Sequence, residues 1–269
     1  MTRGPSGPLF FSYICCMASI DKVYRTVKNL ANKEQKGFVT PAVFNRFAGI
    51  AQQNIYNELF TELVDAKKIS RQNVDPGRDK SVRKRTLEDL SPFVFREHNY
   101  TTKIVNEGAS DNNVFVKPAN FSRMISMSVG GTDRYNINKT NFEVVYDVEK
   151  MDRILGSNLS TPTMSFPVAL VSDEIEVFPV DISSIDITYY RTPGGQNQSG
   201  NYTDSPPQWN ALDLGDGQDL EIMDPASSVD FMLPEHYVSE LVYEIAKMIG
   251  VSINDGAMVQ VASQEEARR

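Results

Sequence analysis

Residues Ser165 to Pro193 read SFPVALVSDEIEVFPVDISSIDITYYRTP, and this stretch sets the fold class. It holds three short runs: Val168-Ala169-Leu170-Val171, Ile175-Glu176-Val177-Phe178 and Ile185-Asp186-Ile187-Thr188-Tyr189-Tyr190. β-Branched and aromatic residues at a period near two mark half-buried strands. Ser172-Asp173 supplies a short turn and Pro179 opens a longer one, so the economical expectation is an antiparallel meander.

Working outward, the same signal recurs upstream. Phe93-Val94-Phe95, Lys103-Ile104-Val105, Val114-Phe115-Val116, Met124 to Val129 and Phe142 to Tyr146 read as further strands. Glu107-Gly108, Asp111-Asn112-Asn113 and Gly130-Gly131 punctuate them. Glu149 to Leu155 reads as a short helix closed by Gly156, and residues 193–208 form a Gly-, Asn-, Ser- and Pro-rich loop or hairpin extension. Many short strands with turn signals imply an α+β chain whose residues 87–232 form an antiparallel β-sandwich or partly open barrel.

Both flanks are helical in pattern. Over residues 17–66, Ser19 is placed to cap a helix with Ile20, Val23, Tyr24, Val27 and Leu30 on one face. Thr40-Pro41 then starts a second helix. Val43, Phe44, Phe47, Ile50, Ala51, Ile55, Leu59, Leu63 and Val64 keep its apolar spacing, giving a helical hairpin whose wide face suits core packing or a subunit interface. Over residues 233–269, Leu233-Pro234 opens a helix with Tyr237, Leu241, Ile245 and Met248 on one face and Gly250 at its end. A tail bearing Met258, Val259 and Val261 then follows, suited to docking on a neighbour. Residues 1–16 combine Arg3 with the apolar run Leu9 to Cys16. They mimic a weak secretory signal, but Met17 begins an ordinary-looking chain and is the expected start.

Composition narrows the function classes. The chain has 269 residues, 41% of them hydrophobic, and no apolar run long enough to span a membrane as a helix. Its two cysteines, Cys15 and Cys16, are adjacent, which rules out a disulfide scaffold and suits a reducing compartment. Charge is divided unevenly. Residues 1–85 hold fifteen Lys and Arg against seven Asp and Glu, whereas the remainder holds twelve against twenty-eight. Residues 67–86 are the basic part, and by composition they are a mobile loop or linker. Lys67, Lys68, Arg71, Arg78, Lys80, Arg83, Lys84 and Arg85 are the candidate phosphate contacts. With no aromatic among them to stack on bases, sequence-blind contact is the expectation. The acidic remainder repels DNA at long range and suits a channel wall along which DNA slides.

Reactive chemistry finds little support. His98 and His236 have no ligand partners at metal-site spacing. Gly130-Gly131 and Gly194-Gly195 lack the spacing and lysine of a phosphate loop. Asp213 to Glu221 matches a calcium loop in composition but not in spacing. Asp173, Glu174 and Glu176 flank a turn and are expected to be solvated rather than paired for acid–base work. Four glycosylation-type sequons, at Asn120, Asn138, Asn158 and Asn201, are chance matches in an Asn-rich chain. No catalytic residue, cofactor or metal ligand is assigned.

One resemblance adds to this reading. It is carried by Leu159-Ser160-Thr161-Pro162-Thr163 before Phe166-Pro167-Val168-Ala169, and by Glu174 to Pro179 before Ile187 to Pro193. Pro207-Gln208-Trp209 and Leu233-Pro234-Glu235-His236-Tyr237 follow, with the last segment ending at Ile249-Gly250-Val251. Over roughly residues 85–260 this order resembles the head–tail connector (neck adaptor or ring) proteins of tailed bacteriophages, in particular short-tailed, crAss-like phages. The resemblance implies a virion protein forming a cyclic homo-oligomer, commonly twelvefold, between the portal and the next tail or neck ring, with double-stranded DNA passing through its lumen. It further implies that the basic stretch orders on assembly against the portal, acidic neighbours or DNA. Tyr189, Tyr190 and Trp209 are expected to serve packing or subunit contacts. The other classes open to the sequence are a head-decoration or tail-fibre attachment protein, and a non-viral carbohydrate-binding or hydrolase module.

Overall fold

The computed structural model describes residues 17–33, 39–71, 76–103, 113–131, 139–213 and 220–252. Among these residues lie five helices: α1 (Ile20–Lys33), α2 (Pro41–Arg71), α3 (Pro76–Asp89), α4 (Val148–Leu155) and α5 (Val238–Ser252). The chain divides into two compact units. Unit 1 comprises Met1–Pro92 and Pro193–Arg269, and unit 2 comprises Phe93–Thr192. The fold is α+β with several sheets, and among the described residues the strands form no closed barrel.

Unit 1 gathers α1, α2, α3 and α5. Thr40 Oγ1 accepts from the Val43 N–H (3.3 Å) and Pro41 is the first residue of α2, as the sequence pattern predicts. At α1 the first-turn donor is met from far away, since the Ile20 N–H donates to Asp230 Oδ1 at 2.7 Å. The apolar side chains of α1, α2 and α5, including Val23, Phe44, Ile55, Leu59, Leu241 and Ile245, are buried. Two small hairpins complete the unit: β8 (Gly195–Gln196) pairs with β9 (Tyr202–Thr203), and β10 (Ala211–Leu212) pairs with β11 (Leu220–Met223); their numbers follow the seven strands of unit 2.

Two expectations are corrected here. The basic stretch 67–86 is helical rather than a linker in its described residues: α2 runs through Arg71 and α3 begins at Pro76. Lysine and arginine are good helix formers, proline is pre-set for a first helical position, and i,i+4 pairs link Lys84 to Glu88 (3.6 Å) and Arg85 to Asp89 (3.9 Å). Likewise the β domain does not extend over 87–232. Residues 193–232 belong with the helices because buried polar bonds from α1 and α2 hold them there.

Unit 2 contains β1 (Val94–Tyr100), β2 (Val114–Phe115), β3 (Phe121–Val129), β4 (Glu143–Val145), β5 (Val168–Val171), β6 (Ile175–Phe178) and β7 (Ile185–Arg191). They form a three-stranded sheet of order β1-β7-β3 and a four-stranded sheet of order β2-β6-β5-β4. The expected meander is therefore broken after its first hairpin. β5 and β6 pair antiparallel, but β7 leaves for the other sheet, where it lies between β1 and β3. Nor is pairing wholly antiparallel, because β4 and β5 run parallel, joined through α4.

The two sheets share one core of Phe115, Met127, Ala169, Val171, Ile175, Val177, Ile185, Ile187 and Tyr189, with Ile182 from the crossing segment. Behind the four-stranded sheet a second layer of apolar contacts joins Val145, Val168 and Leu170 to Met151 and Ile154 of α4. Asp147 starts that helix, accepting from the Glu149 N–H at 3.0 Å. All four residues of β5 are consequently buried, Ala169 and Val171 on one face and Val168 and Leu170 on the other. A run without polar alternation is what burial on both faces requires, so β5 is not the half-buried strand expected.

Candidate functional site

Trp209 is the residue most consumed by its own fold. It is 1% exposed. Its ring stacks on Tyr24 of α1 at 4.2 Å between centroids, and Tyr24 meets Phe44 of α2 edge-on at 5.1 Å. The indole N–H donates to Asp21 Oδ1 (3.0 Å) and the backbone N–H donates to Asn45 Oδ1 (2.8 Å). The Asn45 side-chain amide donates back to the Trp209 carbonyl (3.0 Å). Gln52 repeats the device one helical stretch on. Fully buried, it donates to the Gly194 carbonyl (2.6 Å) and accepts from the Met232 N–H (2.7 Å). Buried amides of this kind are stabilising only when all their groups are paired, which fixes the geometry.

The two tyrosines are interior to unit 2. Tyr189 is 1% exposed and donates its hydroxyl to Asn120 Oδ1 at 3.0 Å, with Phe95 and Phe121 against its ring. Tyr190 points to the opposite face of β7 and is also buried, which pushes its phenol up. Of the packing or subunit contacts expected of Tyr189, Tyr190 and Trp209, packing is the role their burial within this one chain serves.

Two buried carboxylates organise what polar chemistry there is. Asp186, on β7, accepts from the Asn99 backbone N–H (2.7 Å), pairs with Lys139, and lies 3.6 Å from His98 Nδ1. Burial alone pushes Asp186 up, but the bonds from Lys139 and Asn99, the Lys139 charge and the bond from His98 outweigh it and hold the carboxyl below its usual range. Asn99 sits at φ +54°, at the bulge that shifts the register between Glu97 and Tyr100. Asp186 therefore pins an irregular strand. In unit 1, Asp89 accepts from the Tyr237 hydroxyl (3.1 Å) and lies 3.3 Å from His236 Nε2. Burial first, and then the Asp89 charge, drive the Tyr237 phenol well above its ordinary value. Burial, then Glu58, also raise the nearby Glu62.

The remaining candidates disperse. Arg83, Lys84 and Arg85 are exposed on α3; Lys67, Lys68, Arg71, Arg78 and Lys80 fall in the helices, but their side chains are outside the described residues. Met258, Val259 and Val261 also lie outside them, as does most of the calcium-like loop. Among the described residues no group of His, Cys, Asp and Glu gathers as a metal site, and no helix is long and apolar enough to cross a membrane. Asp173 and Glu174 are exposed at the β5–β6 turn.

What the sequence reading missed is an exposed apolar ridge in unit 2. The connection from β4 through α4 to β5 leaves Tyr146, Val148, Leu155, Leu159, Met164 and Phe166 open to solvent, Leu159 at 99% and Phe166 at 79%. The available signal was large apolar residues set in an otherwise Ser-, Thr- and Pro-rich return loop. No protein-family model matches the chain, and no curated protein matches it either.

Proposed function

We propose that this chain works by shape and self-association, as a structural subunit of a tailed-phage head–tail connector ring, and transforms no molecule. The observation that carries this reading is where the large side chains go. Trp209, Tyr189 and Tyr190, and the buried polar groups Gln52, Asp89 and Asp186, are spent on holding the chain's own fold. Of the large apolar side chains left outside, six, including the two most exposed, Leu159 and Phe166, belong to one connection. The order of segments from Leu159 to Val251 supports the connector assignment. Within it, Pro207-Gln208-Trp209 and Leu233 to Tyr237 are the points at which unit 1 is pinned. In the ring, α3 presents Arg83, Lys84 and Arg85 to the portal or to passing DNA, while the acidic remainder keeps the DNA from sticking.

Electron microscopy and native mass measurement of the purified protein, alone and with portal protein or phage particles, test this reading. A closed cyclic assembly joined to the portal vertex is expected. A chain that stays monomeric under every condition and never enters a particle would sink it.

A further inference from the structure

We infer that the ridge over α4 and its return loop is the surface through which one copy of this chain holds a second copy. The inference rests on the self-associating role proposed above and names the face that performs it. Val148 and Leu155 lie seven residues apart, nearly two full turns, and so share one flank of α4. The inner stripe of the helix, Met151 with Ile154, is occupied against Val168, Leu170 and Phe178. Tyr146 precedes the helix cap, and the return loop adds Leu159, Met164 and Phe166. The loop is built to present them: Thr163 and Phe166 bond each other through both backbone groups (3.0 and 3.3 Å), and Thr161 Oγ1 donates to the Ser157 carbonyl at 2.7 Å.

Size and charge select the occupant. From their fractional exposures the six side chains offer on the order of 800 Å² of surface, which is what one partner contributes to an interface of standard size. Scattered exposed apolar residues are ordinary, whereas a concentration of this extent in one connection is the mark of an interaction site. Of the charges beside the ridge, Lys150 pairs with Glu143 at 2.7 Å and Arg153 with Glu149 at 3.4 Å, Asp147 is used as the helix cap, and exposed Asp152 adds a further negative charge. No surplus of positive charge stands there to hold phosphates of nucleic acid or of an anionic lipid surface. An apolar face of this size, with no phosphate-binding charge beside it, fits the surface of another copy, where its large side chains act as buried anchors.

Sedimentation velocity of the full chain over a wide concentration range, compared with the Leu159→Ser/Phe166→Ser double variant, tests the assignment. The wild type is expected to form a species larger than the monomer, and the variant to weaken that association at least ~30-fold, with melting temperature and circular dichroism unchanged. Should the double variant fail to fold, Leu159→Ser alone carries the same expectation, and Ile222→Ser, on exposed β11 surface, is expected to associate as the wild type does. A double variant that associates like wild type overturns this face while leaving self-association standing. A wild type that is monomeric throughout overturns the proposed function itself. Co-sedimentation of the wild type with phosphatidylcholine vesicles, lost in the double variant, overturns the second copy as the occupant.

Discussion

The two units solve the same problem, holding distant parts of the chain together, in different ways. Unit 1 joins segments more than 140 residues apart, and it does so with discrete side-chain clamps: Asp21 and Asn45 on Trp209, Gln52 on Gly194 and Met232, Asp230 on Ile20. Unit 2 joins its strands by backbone ladders and a shared apolar core, and spends one buried carboxylate, Asp186, where a ladder is irregular. A clamp is specific but vulnerable at a single atom, because a buried group left unpaired costs its full desolvation. A ladder spreads its energy over many weak contacts. Unit 1 should therefore fail in response to single polar substitutions, and unit 2 to changes in its core or at the irregular β1–β7 pairing that Asp186 holds.

The largest expected effect breaks the comparison on the helical side. Trp209→Ala removes a stacked, fully buried ring and its indole hydrogen bond to Asp21, at a cost of about 3–5 kcal/mol. Hydrogen exchange should show α1 and α2 losing protection while β3 and β7 keep theirs. Parallel loss in both units would contradict the separation drawn here. Next comes Gln52→Leu, which keeps bulk but strands the Gly194 carbonyl and the Met232 N–H, for about 2–4 kcal/mol by urea unfolding. A change below 1 kcal/mol, on the order of one ordinary hydrogen bond, would mean the clamp is not what holds residues 193–232.

On the sheet side, Asp186→Asn leaves Lys139 without its counter-charge and should cost about 2 kcal/mol. The pH dependence has a fixed sign. The folded carboxyl titrates below its unfolded value, so the stabilisation from Asp186 is fully present above the unfolded value, near pH 4, and is lost as pH falls through the lower folded one. Acid unfolding monitored in unit 2 should lose this component in Asp186→Asn. An unchanged acid limb would remove Asp186 from the account. The smallest effect belongs to Lys84→Ala on α3, whose partner Glu88 is also exposed; a change within about 0.5 kcal/mol sharpens the contrast between solvated pairs and buried clamps.

How much of this was legible depended on the range of the interaction. The start of α2 at Thr40-Pro41 and the end of α4 at Gly156 follow from residues within one turn of each other. The strands near Val114, Met124, Ile175 and Ile185 were visible as apolar runs, but not the sheet each would enter, because a period of two reports which face a side chain takes and nothing about its neighbour. Trp209 illustrates the limit at a single residue. Its sequence neighbourhood is polar and loop-like, which suits an exposed contact as well as a buried one, and only α1 and α2 closing over it decide the matter.

By itself the sequence determined the class, α+β, the helical flanks and the positions of most strands, since hydrophobic period, caps and turns act within a few residues. Tertiary structure alone decided that β7 pairs with β1 and β3, that residues 193–232 fold with the helices, and which large apolar side chains remain outside. Those outcomes depend on contacts between residues far apart in the chain, where the free energy of burial is shared among partners that no local pattern specifies.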